Sequence, residues 1–79
     1  MEDNDSGGMK RPLDVLGSSL EKKILVKTKF GEEISGLLKA FDSHINIWLD
    51  EAKIQGEKEL NVGKVLIRGD NIVYISPGK

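Results

Sequence analysis

The chain has no cysteine, a single histidine, two prolines and only 5% aromatic residues among its 79 positions. Without cysteine there are neither disulfides nor thiolate metal centres. One histidine, His44, rules out the His-rich zinc and iron arrangements, so no metal or cofactor is expected. No apolar run approaches the roughly 20 residues needed to cross a bilayer, and the first residues lack the basic and apolar regions of a secretory signal. No membrane partner is expected, and the default location is intracellular, in the cytoplasm. An excess of one charge is missing too: twelve Lys+Arg stand against thirteen Asp+Glu, a formal net charge of -1. Setting aside residues 1–11, which hold Glu2, Asp3, Asp5, Lys10 and Arg11, leaves ten basic and ten acidic residues. Bulk electrostatics therefore gives no general attraction to polyanions, and any nucleic-acid binding must come from a local, shape-matched site.

The small size is itself informative. A domain of this length buries only about 60% of the surface its unfolded chain exposes, and such domains draw on disulfides, metals or partner subunits. With the first two excluded, oligomerisation is the remaining source of stability. A large enzyme is excluded.

Residues 1–10 (MEDNDSGGMK) have almost nothing to bury and are expected to form a flexible acidic tail, with one domain over 11–79. Pro12 suits a first helical turn, Asp14 favours the positive helix end, and Leu13, Leu16 and Leu20 recur at helical spacing, which predicts a helix of about two turns. The period then changes to two. Ile24, Val26, Thr28 and Phe30 are expected on the inner face of a first strand, with Lys23, Leu25, Lys27 and Lys29 outside. A second strand runs from Ile34 to Phe41, and Gly36 within it marks a bend or bulge. A third begins with Ile45, Ile47 and Leu49 inward. After a polar loop at Gln55–Glu59, a fourth spans Leu60 to Ile67, and a tight turn at Arg68–Asn71 leads into a short fifth, Ile72 to Ile75. The predicted fold is mainly β, a short helix followed by five short strands in a strongly bent, small antiparallel barrel. Val65, Leu66 and Ile67, with Ile72 to Ile75, supply more apolar residues than one sheet face needs. Edge strands apolar on both faces call for a partner, and edge-to-edge, head-to-tail pairing closes a ring.

Catalytic constellations are poorly represented. Ser43 adjoins His44 but no G-x-S-x-G elbow exists, Asp50-Glu51 and Glu32-Glu33 read as solvated charges, and no glycine pair has phosphate-loop spacing. A small hydrolase using His44 is the weakest of three functional readings. What remains is two turns. Asp42, His44 and Asn46 stand at alternate positions, which would start their side chains on one side of the chain. Arg68, Gly69 and Asp70 lie between two strands. Each piece alone reads as strand termination, a loop histidine and a local Arg68–Asp70 pair.

Taken together, Gly36-Leu37-Leu38-Lys39-Ala40-Phe41-Asp42-Ser43-His44-Ile45-Asn46-Ile47-Trp48-Leu49 and Val65-Leu66-Ile67-Arg68-Gly69-Asp70-Asn71-Ile72-Val73-Tyr74-Ile75 resemble the two motifs of the Sm and Sm-like family, particularly its archaeal members, over about residues 11–77. The resemblance implies the Sm fold and a ring built through the fourth and fifth strands, usually of seven identical subunits. It also implies binding of uridine-rich single-stranded RNA near the central pore, one nucleotide per subunit, in RNA processing or ribonucleoprotein assembly, with RNA-processing proteins as further partners. In that picture His44 and Arg68 sandwich a base, Asn46 reads the uracil edge, Asp70 holds Asn46 or Arg68, Gly69 lets the backbone approach the base, and Asp42 belongs to the same cluster. Arg11 and Phe41 are candidates for a second RNA contact on the helix side. Trp48 stands where the family usually has an aliphatic residue and reads as a surface or interface aromatic. The alternative from a different class is a protein–protein scaffold whose ring matters and whose RNA pocket is vestigial.

Overall fold

A computed structural model describes residues 11–78, so the expected acidic tail over 1–10 lies outside the described residues. The chain runs as helix α1 (Pro12–Ser18), strands β1 (Lys23–Thr28), β2 (Glu33–Phe41), β3 (Ile47–Gln55) and β4 (Leu60–Ile67), a 3-10 turn (Gly69–Asn71) and β5 (Ile72–Ser76). Pro12 opens α1 where a backbone donor would be orphaned anyway, and the Arg11 N–H donates to Asp14 Oδ2 at 3.1 Å. The hydroxyls of Ser18 and Ser19 both donate to the Val15 carbonyl at 2.9 Å, competing with the helical ladder and ending the helix. Leu20 therefore falls outside the helix and forms an isolated bridge with Leu38. Of the three leucines expected to face the core from this segment, only Leu16 is buried.

All strand pairs are antiparallel, in the order β4-β3-β2-β1-β5. Alternation buries Ile24, Val26 and Thr28 on β1, Ile34 and Leu38 on β2, and Ile47 and Leu49 on β3; Ala52, beyond a register shift in β3, and Ile67 on β4 complete the core. Each of these apolar side chains withdrawn from water contributes about 1.5–3 kcal/mol for Val, Leu or Ile. Phe30, expected to complete the inner face of β1, is instead 72% exposed. The strand ends at Thr28, whose carbonyl accepts from the Gly31 N–H at 3.0 Å, so Phe30 sits on a turn outside the alternation.

The bending comes from bulges. Register shifts interrupt β2–β3 at Ser35/Leu37 and again at Leu38/Ala40, and β3–β4 between Leu49 and Lys53. At Gly36 a Cβ would come within 2.9 Å of the Asp50 carbonyl oxygen and 3.1 Å of the Ala52 Cα, so the sheet folds tightly against this residue. β4 and β5 occupy opposite ends of the sheet order, yet only residues 68–71 join them. A 3-10 turn rises only about 2 Å per residue, so the sheet must curl to bring its two ends round. The result is a small barrel in which β4 and β5 each keep one edge without a partner strand among the described residues. Those edges expose Leu60 (58%), Leu66 (71%), Val73 (60%) and Tyr74 (48%). No helix among the described residues is long and apolar enough to cross a membrane.

Candidate nucleic-acid interface

Two turns meet at one end of the sheet. The first, between β2 and β3, is not the extended segment that alternate spacing implied. The Asp42 N–H donates to the Asn46 carbonyl at 3.1 Å and the Ile45 N–H to the Asp42 carbonyl at 3.0 Å. Ile45 stands at φ 61°, a left-handed conformation that strains a β-branched residue. Strand β3 accordingly starts at Ile47, two residues later than the sequence pattern indicates. The Asp42 carboxylate holds this turn closed. Its Oδ1 accepts from the backbone N–H groups of His44 (2.9 Å) and Asn46 (3.1 Å), and its Oδ2 from Asn46 Nδ2 at 3.1 Å. The Asn46 amide is the first cause of a lowered Asp42 pKa, and the two backbone donors add to it; partial desolvation opposes them. At neutral pH the carboxylate is an acceptor only, suited to its three donors.

The second turn is locked onto the first. The Gly69 N–H donates to Asn46 Oδ1 at 2.8 Å, which fixes the amide orientation: oxygen toward Gly69, nitrogen toward the Asp42 carboxylate. A primary amide has two N–H donors and two acceptor lone pairs, so Asn46 retains one of each for a ligand. A Cβ on Gly69 would lie 2.9 Å from the Ile45 carbonyl carbon and 3.0 Å from that of His44, and would meet the His44 carbonyl oxygen closer still. The glycine is thus required by the contact of the two turns with each other. Arg68 Nη2 lies 3.4 Å from Asp70 Oδ2, with both side chains largely in water. Asp70 therefore steadies Arg68, while Asn46 is held by Asp42.

His44, Asn46, Arg68, Gly69 and Asp70 together line an open depression of about 440 Å³. Every residue expected at the site from the two motifs lines it or, as Asp42 does, braces it. Its chemistry combines a flat imidazole, a planar guanidinium and an oriented amide, the groups that stack on a base and read its edge. Arg11 caps the start of α1 from just outside it and is exposed; Phe41 ends β2, half-buried, packed on the core, its ring tip facing Gly17 of α1. His44, Ile45 and Gly69 also border an apolar groove of about 460 Å³ running between α1 and β5, with Val15, Ile72 and Tyr74 on its walls. The depression thus adjoins the unpaired β5 edge. Among the described residues no three His, Cys, Asp or Glu side chains gather in a metal-binding group.

Residues 14–77 match the LSM domain family model. The chain is 45% identical over 69 residues to a snRNP Sm-like protein of Methanococcoides burtonii, covering 85% of this chain and 96% of that one. Among solved structures it is similar to the Pyrococcus abyssii Sm protein in complex with a uridine heptamer, with a TM-score of 0.82, 44% identity, and coverage of 87% and 100% of the two chains. It is also similar to a heptameric archaeal Sm protein, with a TM-score of 0.80, 34% identity, and coverage of 84% and 98%. On these grounds the chain belongs to the LSM domain family of Sm-like proteins.

Proposed function

We propose that this protein is a subunit of a homoheptameric ring that binds uridine-rich single-stranded RNA, one nucleotide per subunit, in RNA processing or ribonucleoprotein assembly. The observation that carries the reading is the Asp42–Asn46–Gly69 hydrogen-bond chain, which orients one amide between the imidazole-bearing and guanidinium-bearing turns. His44 and Arg68 stack on the base from two sides, and the spare N–H and lone pair of Asn46 meet the edge of uracil. Stacking tolerates any base, so uracil preference rests on Asn46 and on the closeness of the walls. Arg11 and Phe41 supply a second contact on the helix side.

The ring follows from the edges. β4 offers Leu66 and β5 offers Val73 and Tyr74, and antiparallel pairing of β4 with the next subunit's β5 would satisfy both backbone edges and cover these side chains. The uridine heptamer bound to the Pyrococcus abyssii relative and the heptameric state of the second structural neighbour support the same assembly and ligand. Repetition of a weak site around a pore raises affinity through effective concentration.

The reading is one of binding, supported by what gathers at the depression: an imidazole, a guanidinium and an oriented amide, groups that stack on a base and read its edge. The experiment is a titration of the purified ring with labelled oligouridine. His44→Ala, Asn46→Ala and Arg68→Ala are each expected to weaken binding by at least tenfold, since every substitution acts at all seven sites. Unchanged affinity in all three would remove the site assignment and favour the scaffold reading.

A further inference from the structure

The turn at 68–71 touches a third turn. The Lys29 N–H donates to the Asn71 carbonyl at 2.8 Å, while the Asn71 N–H closes its own turn onto the Arg68 carbonyl at 3.0 Å. The Arg68–Asn71 segment is therefore bracketed, by Asn46 on one side and by Lys29 on the other. The Lys29–Gly31 turn is itself well held. Thr28, buried at its base, accepts from the Phe30 N–H through Oγ1 at 3.3 Å and from the Gly31 N–H through its carbonyl at 3.0 Å, and Gly31 takes φ 90°, a conformation that suits glycine. This rigid turn presents Phe30, 72% exposed, with Lys29 Nζ 5.8 Å from the ring centroid. A phenyl ring in water on a short polar turn adds nothing to the core; a flat apolar face beside a cation is the pairing used to stack a base and neutralise its phosphate.

We propose that Lys29 and Phe30 form a further RNA contact, used where the strand runs on beyond the circle of pockets: Phe30 stacks on a base flanking the nucleotides held at His44, Asn46 and Arg68, and Lys29 meets the adjoining backbone phosphate. The proposal rests on the RNA-binding reading above and extends it from the pocket-held nucleotides to the strand that flanks them. The shared Asn71 bond fixes the two contacts relative to each other.

Binding to the intact ring of oligouridine longer than seven nucleotides, with assembly followed by native mass spectrometry, tests it. Phe30→Ala is expected to weaken binding about fivefold or more, the range of a lost base–aromatic stack. Phe30→Leu, which keeps apolar bulk but no flat face, is expected to behave like the alanine variant, and Phe30→Trp to restore affinity to about the wild-type level. Lys29→Ala is expected to flatten the dependence of affinity on salt, as loss of a phosphate contact does. Wild-type affinity in Phe30→Ala and Phe30→Leu, in rings where His44→Ala loses binding, overturns this inference alone. Wild-type affinity in all of these variants overturns the base-binding reading and the inference with it.

Discussion

Gly69→Ala is expected to lower oligouridine affinity by about two orders of magnitude or more while leaving the β-sheet signature in circular dichroism intact. The reason is steric and local. The added methyl carbon would lie 2.9–3.0 Å from the carbonyl carbons of Ile45 and His44, and backbone cannot give way as a flexible side chain does. Moving the turns apart breaks the Gly69–Asn46 bond of 2.8 Å, which frees the Asn46 amide to rotate and parts the imidazole from the guanidinium. Overpacking of this kind lowers stability by about 1–3 kcal/mol. The larger effect falls on binding, because the same misplacement recurs at every pocket of the ring and the gain from repetition is lost with it. Gly56→Ala is the matched control. Its Cβ would meet only the Lys58 carbonyl oxygen at 3.7 Å, an ordinary contact, so wild-type affinity is expected there. If Gly69→Ala also binds like wild type, the contact between the two turns is not what positions the site.

Leu66→Glu is expected to convert the ring to monomers or small oligomers at micromolar concentration. Leu66 is 71% exposed on β4, the strand whose outer edge has no partner in the chain, and its cross-strand neighbour on β3 is Trp48. Covering a leucine at a subunit junction contributes about 1.5–3 kcal/mol, and burying an unpaired carboxylate in its place adds a further penalty at each junction of the ring. Closure multiplies the effect, since a ring fails when its junctions weaken together. Light scattering or native mass spectrometry gives the mass. Trp48 gives a second readout, being the only tryptophan in the chain and 46% exposed beside Leu66; its emission should shift to longer wavelength when the junction opens. A Leu66→Glu protein of unchanged mass would show that β4 is not the assembling edge.

Much of this was legible in the sequence because local rules and global fold agree over most of the chain. The alternation of Ile24, Val26 and Thr28 placed β1, the glycine at 36 placed the bend, and β4 has the limits expected, Leu60–Ile67. The misreadings cluster where hydrogen-bond chemistry overrides periodicity. Alternate spacing of Asp42, His44 and Asn46 assumes extended backbone, whereas the Asp42 carboxylate draws in two backbone donors and turns the chain through a left-handed Ile45. Phe30 extended the period of β1 by one step and so looked internal. The Thr28–Gly31 bond ends the strand first, and the glycine at 31 was the available signal. Leu20 kept helical spacing from Leu16 but lies beyond two serines whose hydroxyls close the helix. Roles within the site were less readable than membership. That Asn46 answers to Asp42 and Asp70 to Arg68 depends on which turn each carboxylate shares, and only the folded backbone decides it.

The most direct test of the whole account is the stoichiometry and base preference of the wild-type ring, measured by native mass spectrometry and calorimetry with heptauridylate and hepta-adenylate. One heptauridylate strand per seven subunits, bound much more tightly than hepta-adenylate or an RNA duplex, is the expected result. Equal affinity for the two strands, or a monomeric protein that binds neither, would contradict it.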